Sequence, residues 1–327
     1  MKVFVTGGTG FVGANLVRSL LDKGYEVRAL VRGASDRANL QGLDVEVVTG
    51  DLNDPDLVPS LRGCQALFHA AAHYSLLQKE RDRLFQINIL GTRNILRAAR
   101  EAGVERVVYT SSVAAIGVPS DGSLADETYQ SSPDRLIGAY KQSKYWAEQE
   151  ARKAMDLGQD IVIVSPSSPI GPYDIKPTPT GDLVLRFLQG RMPAYVDTGL
   201  NFVDVRDVAQ GHILALEKGV GGDRYILGNE NLSLKSVLAM LGTITSRKPP
   251  QCQLPLWLPL GIAWVDEKIL GSLGKTPSVP IDGVRMSRQK MFYNPSKAVK
   301  TLGLPQTEVA IALADAVDWF KRNGYVQ

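Results

Sequence analysis

Tyr140 and Lys144 are the residues whose types and spacing point most directly to chemistry. They lie four positions apart in Ala-Tyr-Lys-Gln-Ser-Lys, at the start of a run that contains no Pro or Gly as far as Ala154. If this run is helical, the phenol and the ammonium project from one face, one turn apart. Because a nearby cation favours the phenolate, we expect the tyrosine to exchange a proton nearer neutral pH.

The spacing alone is not decisive, since Tyr293 and Lys297 repeat it. That second pair contains Pro295, which disfavours a helical residue before it and fits a turn or a helix start better. The Tyr140 pair is therefore the one to test against the elements that must position it.

Short apolar runs alternate with helical segments through the first half of the chain. Continuous apolar strands between helices predict a parallel sheet covered on both faces, which is a doubly wound α/β (Rossmann) fold. Strands are predicted at 3–6, 27–31, 45–48, 66–70, 107–110 and 161–164, and helices at 15–23, 84–102 and 140–155.

The composition changes after Pro166, where Pro and Gly crowd residues 166–181. Two further β-rich segments, 202–205 and 224–227, are expected to be short strands that rejoin the sheet. We therefore predict a dinucleotide-binding domain at 1–171 and a smaller, partly interleaved C-terminal substrate lobe at 172–327, with segments near 201–228 returning to the sheet.

A glycine-rich loop lies between the first predicted strand and the first predicted helix. In Thr6-Gly-Gly-Thr-Gly-Phe-Val-Gly13, the residues Gly7, Gly10 and Gly13 keep a Gly-x-x-Gly-x-x-Gly spacing. Such glycines permit a tight turn and let backbone amides approach a pyrophosphate at the positive end of a helix. A purely structural turn is the alternative, but the position between strand and helix favours a nucleotide cofactor.

The end of the second strand indicates which cofactor is used. The chain has Leu30-Val31-Arg32 there, with Arg37 close behind and no acidic residue before Asp36. An acid at this point would hold the ribose hydroxyl of NAD, whereas arginine suits the 2′-phosphate of NADP. We predict NADP(H), with NAD(H) less favoured; the alternative is that Arg32 is a solvated surface residue.

Further candidates follow the third, fourth and fifth strands. Asp51 can receive an adenine amino group or cap a turn, and the small residues Ala70–Ala72 let a flat cofactor lie against the backbone or simply pack tightly. Ser112, in Thr110-Ser-Ser, can donate to a substrate carbonyl or form a turn. Two observations favour the chemical interpretation of Ser112. The carboxyl ends of parallel strands face the ligand crevice, and a Tyr-x-x-x-Lys run follows downstream.

Composition argues against several classes of protein. A net charge of +3 with scattered Lys and Arg gives no basis for nucleic-acid binding. Cys64 and Cys252 form neither a metal spacing nor a disulfide framework, and the three histidines lack a ligand pattern. We expect no metal site, no signal peptide and a cytoplasmic location.

The most apolar stretch, Leu254–Val265, is too short to span a bilayer and contains Pro255 and Pro259. We therefore expect no integral membrane segment. Packing within a small helical subdomain is the simpler interpretation; docking on a membrane or covering a hydrophobic substrate is the alternative.

Taken together, these features resemble the extended short-chain dehydrogenase/reductases over nearly the whole chain. Within that family the chain is similar to the dihydroflavonol-4-reductase-like group and to bacterial hopanoid-associated sugar epimerases, through 174–181, 190–196 and Lys290-Met-Phe. The wider resemblance is carried by Thr6–Gly13, Asp51-Leu52, Ala70–Ala72, Asn88–Thr92, Thr110–Ser112, Tyr140–Lys144, Pro166–Pro172 and Asn201–Val208.

The resemblance implies roles for individual residues. Tyr140 would be the acid/base, Lys144 would bind the nicotinamide ribose and lower the pKa of the tyrosine, and Ser112 would polarise the substrate carbonyl. The implied cofactor-binding set is Gly7, Thr9, Gly10, Phe11, Val12, Gly13, Arg32, Arg37, Asp51, Leu52, Ala70, Ala71, Ala72, Asn88, Thr110, Tyr140, Lys144, Pro166 and Ser168, and the candidate substrate-lining residues are His73, Tyr74, Lys176 and Tyr195.

Two departures from nucleotide-sugar epimerases affect the expected substrate. Ser168 stands where those enzymes usually have asparagine, and Leu200 stands where they commonly have an arginine for the sugar diphosphate. Both changes remove diphosphate contacts, so a less charged carbonyl substrate is favoured.

The leading hypothesis is an NADP(H)-dependent oxidoreductase that reduces a small-molecule aldehyde or ketone. The alternatives are a nucleotide-sugar epimerase or dehydratase with tightly bound NAD(P), and a redox-sensing binding module that would need none of Ser112, Tyr140 and Lys144. Relatives dimerise through the counterparts of helices 84–102 and 140–155, which implies a homodimer.

Overall fold

The computed structural model describes residues 1–272 and 280–326. Their twelve strands, in chain order, are β1 (Lys2–Thr6), β2 (Glu26–Val31), β3 (Val45–Thr49), β4 (Ala66–His69), β5 (Arg106–Thr110), β6 (Ile161–Pro166), β7 (Ser168–Ile170), β8 (Ala194–Val196), β9 (Gly199–Asp204), β10 (Arg224–Leu227), β11 (Glu230–Ser233) and β12 (Cys252–Leu254).

The α-helices of the described residues, again in chain order, are α1 (Phe11–Asp22), α2 (Val58–Leu61), α3 (Arg81–Phe85), α4 (Gly91–Glu101), α5 (Val113–Ile116), α6 (Ala139–Asp156), α7 (Pro179–Leu188), α8 (Val205–Lys218), α9 (Leu234–Thr245), α10 (Trp257–Ser272), α11 (Ile281–Met286) and α12 (Val309–Arg322).

Seven strands form one parallel sheet in the order β10-β6-β5-β4-β1-β2-β3. The strands are rich in Val, Ile, Leu and Phe, and β4, β6 and β10 are buried along their whole length, as expected for a sheet covered on both faces. One core packs α1 and α8 against one face, and a second packs α4 and α6 against the other. The predicted doubly wound α/β fold is confirmed.

The predicted helix 84–102 is interrupted. It consists of the end of α3, a π-helical turn at Gln86–Leu90, and α4. The turn adds a residue to the helical register, and such insertions are frequent at functional sites. Here it carries Asn88, which contacts the site described below.

The second lobe has its own small sheets and its own core. β11, β9 and β7 form a three-stranded sheet, and β12 pairs with β8. Residues from α7, α9 and α12 pack together with Ile170 and Phe202 in a separate apolar cluster. Of the two segments expected to rejoin the large sheet, only β10 does so. The 202–205 segment was wrongly expected there, because β9 pairs with β7 and β11 instead.

The apolar stretch 254–265 forms the end of β12 and the first part of α10. Four of its large side chains are exposed, from 46% for Val265 to 70% for Trp257, with Ile262 and Trp264 between these values. Ala263 is buried, and α10 contacts α11. Among the described residues, no helix is both long and apolar enough to cross a lipid bilayer.

Candidate active site

The glycine loop between β1 and α1 is too tight for side chains at two positions. Gly7 has φ +77°, and a Cβ there would lie 2.6 Å from the backbone nitrogen of Ala71. A Cβ on Gly13 would lie 2.1 Å from the carbonyl oxygen of Gly7. Helix α1 begins after Gly10 with no side-chain cap and no acidic residue in its first turn. Its free amides therefore face the loop, as an anion site requires.

A cleft of about 290 Å³ runs along the carboxyl ends of β1 to β4 from this loop. It lies where the strand order reverses between β1 and β4, which is the position that open α/β sheets use for ligands. Twelve residues predicted from the sequence line it: Gly7, Thr9, Gly10, Phe11, Arg32, Asp51, Leu52, Ala70, Ala71, Ala72, His73 and Lys176.

Ten lining residues were not predicted: Thr6, Leu30, Val31, Ser35, Asp36, Gly50, Ile87, Asp174, Ile175 and Thr178. The first seven of these residues, from Thr6 to Ile87, flank the predicted motifs along the chain. Asp174, Ile175 and Thr178 come from the second lobe, in a segment that the sequence marked by its Pro- and Gly-rich composition and by the family resemblance at 174–181, but without a role for these three residues. The glycine cradle, the uncapped helix and the small residues opposite fit an extended dinucleotide.

Segment 172–178 reaches the cleft because side chains of the first domain hold it there. The Asn15 amide donates to the carbonyl of Pro172 at 3.1 Å, and the Asn39 amide donates to those of Thr9 and Tyr173, both at 3.1 Å. The Arg18 guanidinium lies 3.7 Å from the centre of the Tyr173 ring. Tyr173 itself has φ +73°, a conformation that costs free energy and persists because its surroundings fix it.

Lys176 is therefore not where it was predicted. We expected it beside the substrate, but it lines the cleft that Arg32 and Ser35 also line. The contacts of Asn15 and Asn39 explain this difference, since they attach the segment to α1 and to the chain that follows β2.

Asp174 is a buried acid at the same edge of the cleft. Its Oδ2 accepts from the amide of Thr178 at 2.8 Å and from its hydroxyl at 2.7 Å, whereas Oδ1 has no partner among the described residues. Burial raises the pKa of the Asp174 carboxyl to about 6, against the lowering effect of the Thr178 bonds.

Ser112, Tyr140 and Lys144 are brought together at the carboxyl end of β5. Ser112 precedes α5, where its hydroxyl oxygen accepts from the amide of Ala114 at 3.1 Å, and it lies near enough to Tyr140 to lower the pKa of the phenol. Tyr140 and Lys144 lie in the first turns of α6, on one helix as predicted. The Lys144 ammonium donates to the carbonyl of Thr110 at 2.8 Å.

The pKa of Tyr140 does not shift in the expected direction. Burial raises it above its ordinary value of 10.0, and the nearby Ser112 side chain is the group that lowers it. The Lys144 ammonium is itself withdrawn from water. Burial lowers the pKa of Lys144 to about 8, although Glu148 acts in the opposite direction.

The other pair, Tyr293 and Lys297, does not form such a site. Tyr293 lies in an isolated bridge with Ala125 ahead of the helical turns, and its hydroxyl donates to the carbonyl of Val113 at 3.2 Å. Lys297 forms an ion pair with Asp223 at 3.0 Å.

Residues 73–88 bring the cleft and the tyrosine together. The Tyr74 ring packs edge-on against Tyr140, with centroids 4.6 Å apart. Asn88 accepts from the amide of His73 at 2.7 Å and donates to its carbonyl at 2.9 Å and to Ser143 at 2.9 Å. Hydrogen bonds to other protein groups therefore use the Asn88 amide. It positions His73 and does not line the cleft. The His73 ring lies 3.0 Å from Glu80.

Several other predicted residues do not line the cleft. The Thr110 hydroxyl bonds His212 at 2.9 Å, and Val12, in the first turn of α1, packs against the core. Arg37 is exposed, with its guanidinium 3.4 Å from Thr49. Pro166 ends β6 beside Leu227, and Ser168 begins β7 beside Phe202.

Tyr195 was wrongly expected to line a substrate pocket. It is buried in the core of the second lobe with Phe202 and Val237, because β8 places its ring on the inner face of that lobe. Among residues 1–272 and 280–326, no group of three or more acidic, histidine or cysteine side chains could hold a metal ion.

The chain also matches known proteins over most of its length. Residues 3–228 match the model of the NAD dependent epimerase/dehydratase family. A putative dihydroflavonol 4-reductase of Synechocystis sp. is 65% identical over 99% of this chain and 96% of the relative. Sterol demethylase protein B of Methylococcus capsulatus is 36% identical over the full length of both. The crystal structure of gox2253 superposes with a TM-score of 0.89 at 46% identity, covering 99% of each chain.

These matches agree with the α/β fold and the order of strands in its large parallel sheet. The family model covers well over half of the chain, and the relatives align from end to end. The protein therefore belongs to the NAD-dependent epimerase/dehydratase family of extended short-chain dehydrogenase/reductases, and it is an NAD(P)-dependent enzyme of that type.

Proposed function

We propose that the protein is an NADP(H)-dependent oxidoreductase that reduces the carbonyl group of an aldehyde or ketone. The observation that supports this most directly is the meeting of Ser112, Tyr140 and Lys144 at the carboxyl end of β5, where the Lys144 ammonium donates to the carbonyl of Thr110 at 2.8 Å. The relative that is 65% identical is named a putative dihydroflavonol 4-reductase, which is a reductase of this kind.

The proposed roles follow from the geometry. A bound nicotinamide supplies the hydride. Tyr140, whose pKa burial raises, is protonated at neutral pH and so can donate its phenolic proton to the carbonyl oxygen. The Ser112 oxygen accepts from Ala114, which leaves its proton free to stabilise the developing oxyanion. Lys144, fixed on Thr110, supplies positive charge behind the tyrosine.

The proposed preference for NADP(H) rests on the two cations that line the cleft, Arg32 from the end of β2 and Lys176 from the second lobe. Both side chains are exposed, and neither forms an ion pair with a described residue. A 2′-phosphate carries two negative charges that such a pair of cations can contact.

An epimerase or dehydratase that uses the same three residues is the second candidate, and the family model supports it. Such an enzyme would hold its cofactor tightly and regenerate it within one turnover. Purified protein that contains bound NAD(P) and converts nucleotide sugars without added NADPH would favour this candidate over the reductase.

The Tyr140→Phe variant tests the proposed function. The substitution removes the proton donor and keeps the ring against Tyr74, so we expect kcat for NADPH-dependent carbonyl reduction to fall by roughly 10²–10⁴-fold. NADPH affinity, measured by fluorescence titration, should change little. Full activity in this variant would rule out the proposed mechanism.

A further inference from the structure

Lys141, the residue that follows Tyr140, is a buried cation without a strong partner. Only 9% of it is exposed, and its ammonium lies 3.4 Å from the thioether sulfur of Met291. Within residues 1–272 and 280–326, no carboxylate forms an ion pair with it, and burial alone lowers its pKa, to about 8. A thioether is a weak acceptor, so the position is unfavourable for an ammonium unless something else contacts it.

The other buried charged groups of α6 each have an ionic or a hydrogen-bonding partner in the protein. Glu148 binds Arg224 and Ser111, and Glu150 binds Arg93 at 2.7 Å. Lys144 donates to a backbone carbonyl at 2.8 Å. Lys141 therefore differs from the other buried charged groups of this helix, which have partners. A general tolerance of buried charge in this region does not explain why Lys141 lacks a strong partner.

Lys141 also lies between the Ser112–Tyr140 pair and the second lobe. Met291, which its ammonium contacts, forms a bridge with Leu200 and is hydrogen-bonded to Gly199 and Asn201 at 2.9 and 3.0 Å. Lys141 thus places a cation where β9 and residue 291 approach the start of α6. Because Lys141 directly follows Tyr140 at the start of α6, an anionic group held by its ammonium would lie near this end of the helix.

We propose that Lys141 binds an anionic group of the substrate and so selects carbonyl compounds that carry a carboxylate or a phosphate monoester. This proposal rests on the proposed reductase function. One ammonium matches one such group, and an incoming oxyanion would give Lys141 the charge-assisted hydrogen bonds that the protein does not supply. Leu200, which provides no second cation, is consistent with a single charged group rather than a diphosphate.

The test compares Lys141→Met with wild type on three matched aldehydes: 4-formylbenzoate, its neutral methyl ester and 4-formylphenyl phosphate. Methionine keeps the length of the side chain and removes its charge. We expect KM for at least one ionised aldehyde to rise about tenfold or more, with kcat and the KM for the ester little changed. The aldehyde that is affected identifies the carboxylate or the phosphate. Equal changes for ionised and neutral aldehydes, or no change, would overturn the proposal.

Lys153→Met is the matched control, because it makes the same substitution on an exposed part of α6 where Lys153 pairs with Glu150. It should leave all three KM values unchanged. If wild type reduces none of the aldehydes, the proposed function fails, and anion binding is measured directly. Thermal stabilisation by benzoate or phenyl phosphate in wild type and not in Lys141→Met would uphold the role of Lys141. Equal responses would reject it.

Discussion

The hydroxyl group of Ser112 has a structural role and a proposed chemical role. Its oxygen caps α5 by accepting from Ala114, and its proton remains available for Tyr140 or a substrate oxygen. Because the cap fixes the oxygen, the direction in which the proton points is restricted before a substrate arrives. Lys144 is fixed in a similar way by the carbonyl of Thr110. The site is therefore held rigid by backbone contacts of its own residues.

The proposed preference for NADP(H) makes a prediction for Lys176. Replacing it with alanine should raise KM for NADPH by roughly tenfold, since a lost charge-assisted hydrogen bond of this kind contributes about 1.5 kcal/mol. KM for NADH should stay the same because NADH has no 2′-phosphate. Steady-state kinetics with both cofactors measures this difference.

Lys235→Ala, a change at an exposed lysine on α9 away from the cleft residues, is the control and should alter neither KM. Equal specificity constants of the wild-type protein for NADPH and NADH would contradict the cofactor preference itself. An equal loss with both cofactors in Lys176→Ala would contradict the role of Lys176.

At the scale of elements, segment 172–178 matters most, because it brings the second lobe to the cleft along β1 to β4. Asn15 and Asn39 hold its backbone, and Thr178 begins α7 by accepting from the amide of Gly181. Asp174 then closes the turn by accepting two hydrogen bonds from Thr178. Because the Asp174 carboxyl is buried in this way, the stability contributed by this segment should depend on pH.

The Asp174→Asn variant should change the pH dependence of stability. The folded protein raises the pKa of Asp174 from 3.8 to about 6, so it binds the proton more tightly than the unfolded chain. The stabilisation is thus complete below pH 3.8 and is lost as the pH rises through about 6. Wild type should lose roughly 2–3 kcal/mol relative to Asp174→Asn between pH 4 and 7.

Chemical denaturation at a series of pH values measures this loss. Asparagine keeps an oxygen that can accept from Thr178, so the comparison isolates the charge. Asp182→Asn, at an exposed acid that pairs with Arg186, should follow the wild-type profile. Parallel profiles of wild type and Asp174→Asn would show that Asp174 does not titrate in this range.

At the scale of the whole molecule, one face of the described structure exposes two large apolar side chains. The π-helical turn and α6 contact each other, and they expose Leu90 at 44% and Trp146 at 43%. These elements correspond to the predicted dimer helices. A second copy of the chain that packs on this face would remove both side chains from water, which favours association.

We therefore predict a homodimer that Leu90→Glu and Trp146→Glu weaken. Light scattering should give wild type a mass of about twice 35.5 kDa, and the double variant a mass close to 35.5 kDa. The control is Ile311→Glu on α12, where the isoleucine is exposed at 48% on a different helix, and it should leave the mass unchanged. A monomeric wild type, or a dimeric double variant, would contradict this interface.

The sequence predicted much of the first domain because local features there decide the structure. The glycine loop, the six apolar strands and the Tyr140–Lys144 spacing each constrain a short stretch of backbone, and all of them lie where the topology requires. Prediction was weaker in the second lobe. Gly199–Asp204 has the pattern of any short strand, and that pattern does not say which sheet it joins.

The sequence by itself determined that the chain folds as a nucleotide-binding α/β protein, since glycine spacing and strand composition act locally. Only the tertiary structure decided which distant residues meet. Asn39 and Tyr173 bring Lys176 to the cleft along β1 to β4, β8 buries Tyr195, and burial rather than Lys144 controls the pKa of Tyr140. These outcomes depend on desolvation and on long-range hydrogen bonds, which arise when remote segments pack and leave no periodic trace in the sequence.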